Sequence, residues 1–258
     1  MRKADYTEAD LKRALTELGV KKGDNIFMHS NIGFFGRMEN ANSADALCES
    51  YISSLKEAVG TEGTIVLPTF SYSFCHGEIY NPATTKSDCG MLTTYSYEKS
   101  DFVRSLDPNF SIAAWGKNAK LYTENPMPQS FGRNSFWERW LNTGGKLVCM
   151  NFDCGSTFIH FAERFFSVPY RYNKAFNGVI EVDGNPPFRN YAVHYVNDGG
   201  MDAPCMARLD KKCRQYGICK TANLGKGTML AIDIRDYFEL IKETLKSEPL
   251  FLTVGGQG

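Results

Sequence analysis

Apolar residues recur at helical spacing near the start of the chain, at Leu11, Leu15 and Leu18. Thr7 and Asp10 are placed to open that helix and Gly19 to close it. The run Asn25–Ser30 reads as a strand, followed by a small-residue loop through Gly33 and Gly36. A second helix is expected from Ser43 to Gly60 and a second buried strand at Thr64–Phe70. Residues 71 to 90 form a long connection rich in Ser, Tyr, Pro and Asp, a length that is often functional. Short helices are expected at Gly90–Ser100 and Ser135–Asn142, a strand at Lys146–Asn151, and a helix over 157–166. Asn177-Gly178 and Asp183-Gly184 are hairpin signals that divide 170–196 into antiparallel strands. Late helices fall at about 203–216 and 233–246. This alternation predicts a three-layer α/β fold with a mixed central β-sheet flanked by helices. The absence of repeats, linkers and low-complexity runs points to one domain over residues 1–258.

The helix at 157–166 carries the most chemistry. Thr157, His160 and Glu163 stand at three-residue steps, so one helix face can present all three. They follow a buried strand and the tight turn Phe152–Ser156, with Ser156 well placed as an N-cap. The end of a buried strand is where α/β folds usually place ligands, and imidazole suits proton transfer near neutrality. The same spacing is equally compatible with Thr157 starting the helix, His160 packing in the core and Glu163 facing water.

Charge and cysteine content narrow the classes. The 29 basic and 29 acidic side chains cancel, which argues against a nucleic-acid binder. No apolar run approaches the roughly 20 residues needed to span a bilayer, so no membrane partner is expected. The first ten residues lack the apolar core of a signal peptide, and a cytoplasmic location is expected. Eight cysteines fit that compartment as reduced thiols, and none forms a C-x-x-C pair. Cys149 and Cys154 lie near His160 in sequence, which leaves open a thiolate nucleophile and a covalent acyl-enzyme. His29, His76 and His160 share no ligand spacing, so no metal is expected; His76 and His194 read as structural.

Four ordered motifs add to this reading. They are Leu18-Gly19-Val20 through Gly23-Asp24 to His29-Ser30-Asn31-Ile32 and Gly36; Pro68-Thr69-Phe70-Ser71-Tyr72; Arg104-Ser105-Leu106-Asp107-Pro108-Asn109-Phe110-Ser111 to Gly116; and Thr157, His160 and Glu163 followed by Val168-Pro169-Tyr170-Arg171. With them the chain resembles the aminoglycoside 3-N-acetyltransferase family, which acylates an amine from acetyl-CoA.

The resemblance implies that His160 is the general base of a direct acyl transfer, with acetyl-CoA or another acyl-CoA as cosubstrate. Glu163 then either orients the imidazole or holds the acceptor amine. Thr157 either donates a hydrogen bond to the thioester oxygen or simply starts the helix. It also implies that Ser30, Asn31 and Gly36 cradle the CoA pyrophosphate through backbone amides. Arg104 is expected on a CoA phosphate through its bidentate fork, with Ser105 and Ser111 adding hydroxyls. Tyr72, Asp107 and Asp153 are expected on the acceptor side, where aromatic residues of the Phe70–Gly77 stretch either stack on a sugar or pack in the core.

Two positions depart from the family pattern: Asn31 replaces a serine, and Asp107 replaces the histidine before the proline. Asp107 and the zero net charge weaken the case for a polycationic acceptor; the resemblance, whose members also acylate nucleotide-linked amino sugars, then implies a small, nucleotide-linked amino sugar as acceptor, with an aminoglycoside antibiotic as the alternative. The pattern leaves an oligomer possible.

Overall fold

The capping signals at the start of the chain form as expected. The computed structural model describes residues 3–197 and 206–254. Helix α1 spans Glu8–Glu17; the Thr7 hydroxyl accepts from Asp10 N at 3.1 Å and the Asp10 carboxylate accepts from Thr7 N at 2.9 Å. Strand β1 (Asn25–Ser30) leads into a short 3-10 helix, Ile32–Phe35. Helix α2 (Ala44–Val59) is capped by Ser43, whose hydroxyl accepts from Ala46 N at 3.1 Å, and it stops at Gly60, where φ is 65°. Then follow β2 (Thr64–Pro68), α3 (Met91–Glu98), β3 (Val103–Arg104), β4 (Ile112–Gly116), α4 (Ala119–Thr123), α5 (Phe136–Thr143), β5 (Lys146–Met150) and α6 (Phe158–Phe165). The remainder is β6 (Arg171–Ile180), β7 (Phe188–Asn197), α7 (Ala207–Gln215), β8 (Cys219–Leu224), β9 (Gly227–Asp233) and α8 (Ile234–Ser247). The late helix expected at 203–216 is seen as α7; its expected first residues, 203–205, lie outside the described residues.

Seven strands make one sheet in the order β3-β4-β2-β1-β5-β9-β8. Strands β2, β1 and β5 run parallel at its centre, and the flanking pairs are antiparallel. Alternate residues of the central strands feed two cores. Phe27, Val66, Leu147 and Cys149 join Trp137, Trp140, Phe158 and Tyr237 on the face covered by α5, α6 and α8. Ile26, Met28, Ile65 and Val148 join Leu11, Leu15, Tyr51 and Leu55 on the face covered by α1 and α2. Burial on both faces explains the near-continuous apolar runs of these strands. The fold is therefore the expected three-layer α/β arrangement with a mixed sheet. Among the described residues no helix is long and apolar enough to cross a membrane.

Two expectations change. The mixed character of the sheet comes from β3, β4, β8 and β9, whereas β6 and β7 form a separate two-stranded ribbon. Asn177-Gly178 is not a turn either: β6 runs straight through it, pairing Asn177 with Tyr191 and Gly178 with Asn190. Glycine is needed there for another reason. A Cβ on Gly178 would stand 2.4 Å from the ring of buried Phe74. Only the Asp183-Gly184 signal marks the bend, with Gly184 at φ 79°.

The topology also fixes where a ligand fits. The chain leaves β1 for β2 on one side, while β5 lies on the other side of β1, so the carboxyl ends of β1 and β5 flank a switch point. The Ser30–Asn31 bend and the β5–α6 loop both open there.

Gly178→Ala is expected to cost about 1–3 kcal/mol by overpacking. Thermal unfolding should show a loss that Phe74→Leu partly restores in the double variant.

Candidate active site

The β5–α6 loop is held from both sides. Asn151, left-handed at φ 55°, donates its amide to Thr228 O at 2.9 Å and its side chain to Asn31 O at 3.3 Å. The second bond ties the loops after β1 and β5 together. Ser156, expected as the N-cap, stands one residue before the cap position, which Thr157 occupies; its hydroxyl accepts from Phe158 N at 3.3 Å and shares a 3.1 Å hydrogen bond with His29 Nε2. Thr157 has a helical backbone and makes no side-chain capping bond. His29 is half-buried and aligned by this bond, and desolvation of its ring pushes its pKa down to about 4.

His160 and Glu163 lie on one face of α6, as their spacing requires. Nδ1 of His160 donates to Glu163 Oε2 at 2.7 Å. Glu163 is 0% exposed. Its other oxygen accepts from Tyr170 OH at 2.9 Å, and Arg171 Nε pairs with Oε2 at 2.6 Å, close as an ion pair though not aligned as a hydrogen bond. Burial and the adjacent Glu163 carboxylate push the Tyr170 phenol pKa up, keeping it a proton donor. A carboxylate so enclosed lies behind the imidazole and cannot reach an acceptor in the cleft. It fixes the ring and leaves Nε2 as the free nitrogen of a side chain that is 23% exposed. The ring of Phe131 meets His160 edge-on, at 5.3 Å between centroids.

The residues expected on CoA phosphates are placed differently. Arg104 is 8% exposed, and all three of its guanidinium nitrogens are engaged by the protein. Nε donates to Thr69 Oγ1 and Ser111 Oγ at 3.1 and 3.2 Å, Nη1 to Thr85 O at 2.5 Å, and Nη2 to Thr69 O at 2.7 Å. Its plane lies over the rings of Tyr97 and Tyr80. Ser111 donates to Thr69 O at 2.6 Å, and Ser105 Oγ accepts from Ile112 N at 3.1 Å; both serines are buried. This cluster ties the 81–85 loop to the end of β2. The motif names an arginine but not its exposure, which is why the sequence misplaced it. Gly36 is likewise structural: at φ 89° it leaves room for the Asp5 carboxylate, 2.4 Å from where a Cβ would stand. Ser30 and Asn31 do reach the switch point half-buried, although the Asn31 amide is already committed to Met150 O at 3.0 Å.

The acceptor-side candidates divide. Asp107 turns inward, accepting from Asn109 N and Phe110 N at 2.9 and 2.8 Å, and burial raises its pKa. Asp153 is exposed and accepts from Gly155 N at 2.8 Å within its own turn. Tyr72, at φ 52°, is half-buried against Phe70 and Phe110, and burial pushes its phenol up to about 12. Sequence reasoning set His194 aside as structural, but its ring lies 6.1 Å from Tyr72 and 6.3 Å from Phe131. Only the pairing of β7 with β6 brings it there, so no local signal could have found it.

The neighbouring cysteines are poor nucleophiles. Cys149 is sealed in the core and burial pushes its thiol well up. Cys154 is raised by its hydrogen bond with Cys213 and by burial. Among the described residues no group of three or more His, Cys, Asp or Glu is arranged to hold a metal ion. A cavity of about 1120 Å³ runs along α6; Phe131, Arg133, Glu138, Phe161, Arg164 and Tyr191 are in its wall.

Fold and site together define an α/β protein with a carboxylate-backed histidine at the switch point of a mixed sheet. The family model described as aminoglycoside 3-N-acetyltransferase matches residues 27–246, and the chain belongs to that family. It is 26% identical over 184 residues to aminoglycoside N(3)-acetyltransferase III from a Salmonella species, covering 64% of this chain and 62% of that relative's length. The solved structure of AAC-IIIb with CoASH superposes with a TM-score of 0.79 at 19% identity, covering 93% of this chain and 96% of the other. A histidine-to-alanine mutant of the aminoglycoside acetyltransferase AAC(3)-IVa, in complex with apramycin, gives 0.77 at 22% identity, covering 97% and 96%.

Arg104→Ala should lower stability by about 3 kcal/mol, because it strands buried acceptors. In the folded fraction, calorimetry should find CoA affinity changed by no more than about threefold. A second test concerns His29. In the unfolded chain it takes a proton below about pH 6.5, and in the folded protein only below about 4. Its stabilisation is complete above pH 6.5 and is lost as pH falls toward 4, a swing of about 3 kcal/mol. His29→Gln should flatten that slope in denaturant titrations across this window.

Proposed function

We propose that the protein is an acetyl-CoA-dependent N-acetyltransferase acting on the amine of an aminoglycoside-type amino sugar. The observation that carries this reading is the 2.7 Å bond from His160 Nδ1 to a fully buried carboxylate, which leaves Nε2 free to accept a proton. An ammonium has no lone pair, so the acceptor must react as the free amine. Its nitrogen attacks the thioester carbonyl carbon, and His160 Nε2 takes the proton that nitrogen releases. Collapse of the tetrahedral intermediate breaks the C–S bond, and the imidazolium returns the proton to the departing thiolate. The products are an amide and free CoA.

Several features support CoA as the donor. Phe34, Met91 and Phe152 are exposed. Phe34 and Phe152 lie in the segments that follow β1 and β5, and Met91 comes within 3.8 Å of the Cβ position at Gly33. Together they offer apolar surface at the switch point suited to a pantetheine arm. Membership of the family and the named substrates of its relatives support the aminoglycoside-type acceptor. A need for acetyl-CoA supports a cytoplasmic location. We take residues 1–258 as one catalytic unit, because both cores pack on opposite faces of one sheet.

A second reading keeps the chemistry and changes the acceptor to a nucleotide-linked or phosphorylated amino sugar. Its support is the charge of the cavity along α6, where Arg133 and Arg164 face a single carboxylate, Glu138. Arg164 is bonded only to the neutral side chains Asn173 and Gln129, so its charge is not cancelled. That balance suits an anion better than a polycation.

Release of CoA thiol from acetyl-CoA, measured against gentamicin-type antibiotics and nucleotide-linked amino sugars, decides between the acceptors; no release with any of them defeats both. With the active acceptor, His160→Ala should lose on the order of a hundredfold or more in kcat and still bind CoA by calorimetry. Iodoacetamide should leave the wild-type rate unchanged, since neither buried thiol offers a thiolate.

A further inference from the structure

The surroundings of His160 hold a second imidazole that the mechanism above does not use. His194 lies on β7 with its ring 4.7 Å from Phe110 and 6.3 Å from Phe131, the ring that also meets His160. This approach is built by the backbone. Val193 N donates to Pro128 O at 2.6 Å and Ser130 N donates to Val193 O at 3.4 Å, which pins the segment carrying Phe131 to the strand carrying His194. Imidazoles from two separate elements thus border one aromatic floor.

The two nitrogens of His194 are not equivalent. Nδ1 is sealed from solvent without a hydrogen-bond partner, whereas Nε2 is not sealed. A hydrogen on the sealed nitrogen would be a buried donor without an acceptor, which proteins tolerate less than a bare lone pair. The ring therefore carries its hydrogen on Nε2. Burial, with the Arg171 guanidinium nearby, holds its pKa down to about 4. His194 is thus neutral near pH 7 and offers one N–H.

We propose that His194 is a catalytic hydrogen-bond donor in the acetyl transfer, its Nε2–H holding the thioester oxygen while His160 accepts the proton of the attacking amine. As the N–C bond forms, the carbonyl π pair moves onto that oxygen, and the N–H···O bond strengthens with the developing negative charge. When the C=O re-forms and the C–S bond breaks, the charge leaves with sulfur, which takes its proton from His160. His194 neither gains nor loses a proton. A neutral donor suits this place, because an imidazolium beside His160 would oppose the charge that His160 must acquire. The assignment rests on the acetyl-transfer reading above.

His194→Phe keeps the aromatic bulk and removes the donor, and His194→Gln returns an amide N–H near the position of Nε2. With the best acceptor of the panel, His194→Phe should lower kcat on the order of a hundredfold, leave KM for acetyl-CoA within about threefold, and be rescued at least about tenfold in His194→Gln. A Phe variant within about threefold of wild-type kcat, or a Gln variant no better than Phe, overturns the assignment. Infrared spectra of bound acetyl-CoA labelled with carbon-13 at the carbonyl read the same contact without turnover. The wild type should show the carbonyl band at lower frequency than free acetyl-CoA, and His194→Phe should return it. An unshifted wild-type band rejects His194 as the donor even if the variants fold poorly. Bound acetyl-CoA with a shifted band but no acceptor turnover would fault the acceptor reading instead.

Discussion

A carboxylate with no contact with water holds this structure to its purpose. Burying an ionised group is costly unless every oxygen is answered. Glu163 is answered from three directions: by His160 on its own helix, by Tyr170 in the turn after it, and by Arg171 at the start of β6. One anion thereby fixes the tilt of an imidazole, the exit of α6 and the departure of the ribbon. Removing it would leave Arg171 without its counter-ion in a dry place, so the constellation stands or falls as a unit. The orientation of His160 is accordingly a property of the core rather than of the cleft.

Where chemistry followed local rules, the sequence was legible. Thr7 with Asp10, and Ser43 with Gly60, marked α1 and α2 because caps are short-range devices. Thr157, His160 and Glu163 were legible because a single helix turn sets their distances. What escaped depended on packing between distant segments. Gly178 looked like a turn but makes room for Phe74, about a hundred residues earlier in the chain. Strands β8 and β9 have mixed burial and owe their place to pairing, β9 with β5 and β8 with β9. Arg104, Ser105 and Ser111 looked like phosphate ligands because a motif cannot say whether an arginine faces water or carbonyl oxygens. His194 had no signal at all until β7 was laid beside β6.

The neutral total charge conceals an uneven distribution. Asp107 is folded into its own turn and Glu163 is enclosed, so neither carboxylate adds negative surface to the site. The cations Arg133 and Arg164 line the large cavity beside α6. A net count says little about what a cleft attracts; the direction each side chain takes decides it.

The ribbon of β6 and β7 stands apart from the seven-stranded sheet, joined to other segments by isolated bridges at Tyr80 with Ile180 and Gln129 with Val193. Its exposed large apolar side chains include Tyr172 and Phe188 on one face and Tyr191 on the other. The tip around Asp183-Gly184, which lies beyond Arg171 and His194 along the register, can be lengthened, trimmed or re-decorated in the course of evolution without disturbing the frame that aims the base. Lineages built on this plan are thus free to diversify what they modify while the proton-handling helix stays as it was.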